Sequence, residues 1–218
     1  MPKTLVIVGA GGSGREVLGL VRDIEDGRNG SWEFLGFVAD DVPDEEALFR
    51  IGAPYLGSTE DADLLSSLSG SYFAVAIGNG ALRAHAFAHM REAGLLPAIL
   101  IHPTVVAGQD IEINPGAVIC AGSILTTNIR IGAGAYVNLG CTISHDVSIG
   151  NFVTLAPNVS LSGNVTLNDF ANLGTGVSVI QGINIGPSVT VGAGAVVTRN
   201  VDENLTVVGV PARPLLSR

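Results

Sequence analysis

The sequence predicts a small α/β domain with a parallel sheet, followed by a parallel β-helix. Apolar, strand-like runs alternate with helical patterns across residues 1–100. From Ile101 to Val197, an aliphatic residue then recurs at every sixth position. The composition agrees, because 47% of residues are hydrophobic, only 5% are aromatic and 29 are glycine, which suits short strands joined by tight corners. We therefore predict an α/β domain over 1–100, a β-helix over 101–202 and a C-terminal tail over 203–218.

The first domain begins with a buried strand, "TLVIVGA", and a helix, "GREVLGLVRDI", whose apolar residues have helical spacing. The later elements are a second strand, a short helix, a third strand, a helix ending at Gly94 and a last strand. Their sequences are "WEFLGFVADD", "DADLLSSL", "YFAVAIGN", "ALRAHAFAHMREAG" and "LLPAILIH". Strands that alternate with helices predict a parallel sheet with both faces covered.

The second domain has a period of six residues. Of the seventeen positions that step by six from Ile101, sixteen are Val, Ile or Leu, and the exception is Ala107. The residue four positions further on is always small or β-branched, and Gly or Asn often occupies the corner, where positive φ is needed. No α-helix has this period, whereas a parallel β-helix does. Three such hexads would close one coil, with both series of residues pointing inward.

Charge, hydropathy and cysteine content argue against several classes of protein. The net charge is −9 and the pI about 4.7, so binding to nucleic acid is not expected. A membrane span is not expected either, because polar residues interrupt every apolar stretch. The two cysteines, Cys120 and Cys141, lack the paired spacing of a metal site, and "MPKTLVIVGAGG" is typical of a first strand rather than a signal peptide. We expect a cytoplasmic protein with reduced thiols and no bound metal.

One ionisable pair stands out in the β-helix. Residues 101–202 hold only two Arg, four Asp, one Glu and two His, yet His145 is followed directly by Asp146. Neither occupies an inward hexad position, so the pair should project from the surface. The pair is either a solvated surface feature or a general base with its carboxylate partner, since a neighbouring carboxylate favours the protonated imidazole.

Several motifs together resemble a known family. The hexads, the glycine-rich turn, "AIGN", "IHPTVV", "SHDVSIGNFVTLAP" and the terminal "GVPAR" resemble the sugar O-acyltransferases, over essentially the whole chain. That family includes sialic acid O-acetyltransferases and N-acetyltransferases of nucleotide-linked amino sugars. The resemblance implies a left-handed β-helix, a homotrimer with active sites between neighbouring copies, and acetyl-CoA as the acetyl donor. It further implies transfer to the amino group of a nucleotide-linked deoxysugar.

The same resemblance implies roles for particular residues. His145 would be the general base and Asp146 its tuning partner, while Asn138 would lie near the reacting groups unless it is merely a corner residue. Thr154 stands where many relatives have a second His near the thioester. The remaining cofactor-binding candidates are Gly163, Thr175, Ala193 and Arg213. For Arg213, a solvated position in the tail is an equal alternative to binding the CoA phosphates.

The glycine-rich turn allows two interpretations. Gly9, Gly11 and Gly14 match the G-x-G-x-x-G fingerprint of dinucleotide sites, which keeps an NAD-dependent oxidoreductase open. However, only about 95 residues precede the hexads, half of a full Rossmann fold. The helix N-terminus that binds a dinucleotide pyrophosphate would serve a nucleotide-sugar equally well. By resemblance, the sugar-nucleotide site comprises Gly12, Ser13, Gly14, Asp40, Asp41, Gly78 and Asn79, with Ser13 in place of the usual His.

Two other functions remain open from the sequence. One is an O-acetyltransferase for sialic acid-type or other sugars. The other is a non-catalytic β-helix scaffold or sugar-nucleotide sensor. Only the His145–Asp146 pair separates this last possibility from the enzymes.

Overall fold

The structure is a computed structural model that describes residues 2–27, 32–41 and 43–215. It divides into two compact units, Met1–Pro103 and Thr104–Arg218. In the described part of the chain, every helix is too short or too polar to cross a lipid bilayer.

The first unit is a parallel five-stranded sheet with helices, as predicted. Its elements are β1 (Lys3–Val8), α1 (Gly12–Gly27), β2 (Trp32–Val38), α2 (Glu45–Arg50), β3 (Tyr55–Gly57), α3 (Ala62–Ser67), β4 (Tyr72–Val75), α4 (Gly80–Glu92), β5 (Leu96–Pro97) and β6 (Leu100–Ile101). The sheet order is β3-β2-β1-β4-β5. The short elements α2 and β3 were not predicted, and the predicted last strand is in fact two short strands, β5 and β6.

Strand order reverses beside β1, which lies between β2 and β4. In open parallel sheets, such a switch point leaves a crevice outside the carboxyl ends of the strands. Two glycines shape the turn that enters this crevice. Gly9 has a φ of +102°, and a Cβ on Gly14 would lie 2.0 Å from the carbonyl oxygen of Gly9. Gly14 therefore allows α1 to pack closely against the end of β1.

The second unit is a three-sided parallel β-helix. Face A contains β9 (Val118–Ile119), β12 (Tyr136–Val137), β15 (Thr154–Leu155), β18 (Asn172–Leu173) and β21 (Thr190–Val191). Face B contains β7 (Val106–Ala107), β10 (Ile124–Leu125), β13 (Thr142–Ile143), β16 (Ser160–Leu161), β19 (Ser178–Val179) and β22 (Val196–Val197). Face C contains β8 (Ile111–Ile113), β11 (Ile129–Ile131), β14 (Ser148–Ile149), β17 (Thr166–Leu167) and β20 (Asn184–Ile185). On all three faces each residue pairs with its equivalent 18 positions away, as Ile143 does with Leu161.

Both hexad series point inward and form one continuous core. From Ala117 to Val207, the core residues are at most 9% exposed. The first hexads are more open: Ala107 is exposed, and Ile111 and Ile113 are only partly buried. These residues begin the helix, so they lack an earlier coil of the same helix to stack on. The stacked aliphatic core makes the corners between faces rigid platforms for exposed side chains.

The corners use left-handed backbone conformations, most visibly at the BC corner, which joins faces B and C. There, Asp110, Asn128, Asp146 and Asn164 form one column at intervals of a single coil, with φ between 51° and 61°. Asn and Asp tolerate this conformation better than other residues with a side chain. The AB corner, after the strands of face A, uses glycine at several levels, including Gly140 and Gly176.

The predicted tail continues the sheet of face A. Strand β23 (Thr206–Val208) pairs parallel with β21, and β24 (Arg213–Pro214) pairs antiparallel with β23.

Candidate functional site

His145 and Asp146 lie at the BC corner, between β13 and β14. Their side chains remain 57% and 41% exposed, so a substrate can reach the imidazole. The His145 Nδ1 lies 2.6 Å from the Asp146 Oδ2. The rigid inward residues on either side, Ile143 and Val147, fix the backbone that presents the pair.

A second hydrogen bond holds the carboxylate of Asp146. The Asn128 Nδ2, one coil earlier in the same column, donates to the Asp146 Oδ1 at 2.5 Å. The hydrogen bonds from His145 and Asn128 hold the pKa of Asp146 below its ordinary value, so the group is ionised at neutral pH. An ionised carboxylate only accepts hydrogen bonds, so the proton of the neutral imidazole must be on Nδ1. The Nε2 is then left as a proton acceptor.

The imidazole of His145 lies against Gly163, its equivalent in the next coil. A Cβ on Gly163 would lie 2.5 Å from the His145 Cε1 and 2.6 Å from its Nε2. The absence of a side chain at Gly163 therefore makes room for the ring. Its predicted contact with the cofactor stays a prediction, and the structure adds this steric role.

Substituting Gly163 by alanine should displace the imidazole while leaving the fold intact. The φ of Gly163 is outside the left-handed region, and the three atoms nearest to the added methyl group all belong to the movable ring of His145. We expect Gly163→Ala to lower kcat by roughly tenfold or more, because small misplacements of a catalytic group are costly. The melting temperature should change little. Steady-state kinetics and differential scanning calorimetry would check both, and an unchanged kcat would contradict the steric role.

The other predicted active-site residues lie at a different corner. Asn138 follows β12 at the AB corner, where its Oδ1 accepts a hydrogen bond from the Leu139 N at 2.7 Å. Thr175 and Ala193 occupy the same corner one coil apart, and both are exposed. Thr154 lies within face A, on β15. Within one chain, the BC corner therefore holds His145, Asp146 and Gly163. The AB corner, at the opposite edge of face B, holds Asn138, Thr175 and Ala193.

The last predicted site residue of the second unit is Arg213. Arg213 is exposed on β24, where its Nη1 donates to the Ala212 carbonyl oxygen at 2.7 Å. Cys120 and Cys141 are both buried. Burial raises the pKa of the Cys141 thiol to about 11, which leaves almost no thiolate at neutral pH. Neither cysteine is placed to form a covalent intermediate with a substrate.

A pocket of about 640 Å³ opens at the carboxyl ends of β1, β2 and β4 in the first unit. Three predicted substrate residues line it, namely Gly12, Asp40 and Asp41. Asp40 accepts hydrogen bonds from the Ser58 Oγ at 2.7 Å and the Thr59 N at 2.8 Å. Burial would raise the pKa of Asp40, but the hydrogen bond from the Thr59 Oγ1, together with those from Ser58 and the Thr59 N, outweighs it, and the pKa lies below its ordinary value.

The other four predicted substrate residues are not in the pocket wall. Gly14 packs α1 on β1, and Ser13 lies beside it in α1. The Asn79 Oδ1 caps α4 by accepting from the Leu82 N at 3.0 Å. The Gly78 carbonyl oxygen accepts from the Nη1 of the buried Arg83 at 3.0 Å. These contacts show structural roles, and their predicted contacts with substrate stay predictions.

Comparison with known proteins agrees with this architecture. Residues 4–90 match the family model of the PglD N-terminal domain. No curated protein sequence matches the chain. PerB from Caulobacter crescentus, solved with CoA and GDP-perosamine, is 30% identical over 97% of each chain with a TM-score of 0.87. WeeI from Acinetobacter baumannii is 30% identical over 97% of this chain and 99% of its own, with a TM-score of 0.84.

The chain belongs to the hexapeptide-repeat sugar acetyltransferases. A third similar structure is the acetyltransferase domain of PglB from Neisseria gonorrhoeae, solved with acetyl coenzyme A. It is 30% identical over 99% of this chain and 100% of its own, with a TM-score of 0.74. These similarities confirm the predicted family and the predicted fold class, a small parallel sheet followed by a left-handed parallel β-helix.

In this hexapeptide-repeat acetyltransferase, the pocket also contains residues that the sequence analysis missed. His85 and His89 lie one turn apart on α4 and both line the pocket, as does Arg15 on α1. The His89 Nε2 lies 2.9 Å from the Thr59 carbonyl oxygen. The i, i+4 spacing in "HAFAH" was the available sequence signal. Among the described residues, no three His, Cys, Asp or Glu side chains are grouped as metal ligands.

Proposed function

We propose that the protein transfers the acetyl group of acetyl-CoA to the amino group of a nucleotide-linked amino sugar. The observation that carries the proposal is the exposed His145–Asp146 pair, whose geometry leaves Nε2 as a base. This pair occurs in a chain that matches PerB, solved with CoA and GDP-perosamine, over 97% of its length.

The reaction requires only groups that this chain supplies. The His145 Nε2 would accept a proton from the sugar amine while the amine nitrogen attacks the thioester carbonyl. The new C–N bond forms, the C–S bond breaks, and the imidazolium returns its proton to the departing CoA sulfur. Asp146 would hold the imidazole and stabilise its charge during transfer. Because both cysteines are buried, we favour direct transfer over an acyl-enzyme.

We propose the pocket of the first unit as the nucleotide-sugar site. The N-terminus of α1, at Gly12, supplies backbone N–H groups and a partial positive charge for the pyrophosphate. Asp41 is exposed at the pocket wall and suits a ribose hydroxyl. Asp40 already accepts hydrogen bonds from Ser58 and Thr59, so its main contribution would be to hold the loop that follows β3. Since acetyl-CoA and nucleotide-sugars are cytoplasmic metabolites, we place the reaction in the cytoplasm.

We propose a homotrimer with face B turned toward the threefold axis. Closed cyclic symmetry is the rule for homo-oligomers. The outward residues of face B are uncharged, and they are Val106, Ile124, Thr142, Ser160, Ser178 and Val196. Val106 and Ile124 are 62% and 41% exposed, whereas face C presents Glu112 and Arg130.

This arrangement would complete the active site. With face B toward the axis, the BC corner of one copy meets the AB corner of the next. His145 of one copy would then lie beside Asn138, Thr175 and Ala193 of its neighbour. The separation of these residues within one chain supports a site formed between copies.

Ligand binding and thiol release would test the proposed function. We expect CoA to raise the melting temperature, with about 2.7 kcal/mol of stabilisation at a concentration of 100 times Kd, while NAD has no effect. Acetyl-CoA should release free CoA thiol only when an amino-sugar nucleotide is present, in a panel that includes GDP-perosamine. Stabilisation by NAD without any response to CoA would favour the oxidoreductase hypothesis instead.

A further inference from the structure

We propose that Asn128 is a positioning residue that holds the His145–Asp146 pair in its reactive arrangement. The inference rests on the proposed acetyl transfer and adds a third member to the pair. Asn128 lies one coil before Asp146 at the BC corner, and its Nδ2 donates to the Asp146 Oδ1 at 2.5 Å. The His145 Nδ1 is 2.6 Å from the other carboxylate oxygen, so each oxygen has its own partner.

The exposure of Asp146 makes this second bond necessary. Its side chain is 41% exposed, and a carboxylate in that position can rotate toward water. The Asn128 bond restrains this rotation and keeps Oδ2 directed at the imidazole. With Nδ1 bound in this way, the neutral ring keeps its proton on Nδ1 and presents Nε2 to the substrate.

The chemistry of the corner column also favours an amide at position 128. Two carboxylates in contact would repel each other, whereas an amide N–H donates to the carboxylate beside it. The preceding acid, Asp110, has a different partner, since its Oδ1 accepts from the Arg130 Nη2 at 2.9 Å. The Nδ2 of Asn128 is thus committed to Asp146 rather than shared along the column.

The backbone conformation at this corner allows the Asn128 side chain to be removed without strain. Asn128 has a φ of 51°, so Asn128→Gly removes the donor without straining the left-handed conformation. Asn204, with a φ of 61°, is an exposed residue of another corner. Asn204→Gly is therefore a matched control for the effect of glycine itself.

Kinetics should separate a positioning role from a structural one. We expect Asn128→Gly to lower kcat by roughly tenfold, the value of one hydrogen bond to a charged group, with an unchanged KM for acetyl-CoA. In an Asp146→Gly background, which removes the acceptor and suits the φ of 61° at this position, the same substitution should have no further effect, because Asn128 acts only through the side chain of Asp146. Asn204→Gly should leave kcat unchanged.

Nitrogen NMR of the His145 ring tests the positioning independently of turnover. The wild-type ring should hold its proton on Nδ1, and Asn128→Gly should increase the fraction with the proton on Nε2. A folded Asn128→Gly protein with wild-type kcat and wild-type tautomer populations would overturn the proposal, as would fully additive losses with Asp146→Gly. A third outcome is that the wild type transfers no acetyl group while Asn128→Gly still shifts the ring proton from Nδ1 to Nε2. In that case the proposed function would fail and the positioning role would stand.

Discussion

Replacing His145 with alanine is expected to lower kcat by roughly 10²–10⁴-fold, which is the contribution of a positioned general base. The KM for acetyl-CoA should change little, because the base acts in the transition state rather than in binding the donor. The side chain is 57% exposed and belongs to a corner rather than the core, so the fold should be unaffected. Steady-state kinetics and circular dichroism of the purified variant would measure these quantities.

His102 offers a matched control for this substitution. It lies at the end of the first unit, just before the β-helix, and its Nε2 lies 2.9 Å from the Asp23 Oδ2 in another histidine–carboxylate pair. His102→Ala should keep nearly full kcat. Because the His102 side chain is only 11% exposed, the substitution should also lower the free energy of unfolding, so circular dichroism must first confirm that the variant is folded. If His145→Ala stayed fully active while His102→Ala did not, the general base would have been assigned to the wrong residue.

Placing a charge on face B is expected to abolish activity by separating the subunits. Ser178 points outward from β19, and Ser178→Arg would bring three unpaired guanidinium groups together at the proposed threefold axis. Burying an unpaired charge costs about several kcal/mol, enough to dissociate an interface. Light scattering should show a monomer at micromolar concentration, and kcat/KM should fall by roughly 10²-fold or more, because His145 would lose the neighbouring corner.

The same charge on face C provides the control. Thr166 is exposed and points outward from β17, on the face that already presents Glu112 and Arg130. Thr166→Arg should remain trimeric and active. A Ser178→Arg protein that stays fully active as a monomer would rule out a site shared between copies.

The regular parts of the fold could be predicted because they follow local patterns. The six-residue period determines which residues are inward, and the structure buries both series from Ala117 onward. The same period places His145 and Gly163 one coil apart, so their contact was within reach of the sequence. The elements α2 and β3 were missed because each is too short to show a clear periodicity.

Side-chain direction was the part that the sequence could not predict. Asp40 and Asp41 are adjacent, but only the structure shows that Asp40 accepts hydrogen bonds from Thr59 and Ser58. Likewise, the 18-residue interval puts Asn128 beside Asp146, yet which amide atom meets which carboxylate oxygen depends on rotamers. Gly14 was predicted to contact substrate, and the close approach of α1 to Gly9 that it allows depends on tertiary packing.

Identification of the acetylated product is the decisive test of acetyl transfer to a nucleotide-linked amine. The enzyme would be incubated with acetyl-CoA and a nucleotide-linked amino sugar, and in parallel with the nucleotide-linked sugar that has a hydroxyl group at the same carbon. Mass spectrometry and NMR would then locate the new acetyl group. We expect an amide on the amino sugar and no ester on its hydroxyl counterpart. Acetylation of the hydroxyl sugar alone, or no transfer to any nucleotide-linked amino sugar, would contradict it.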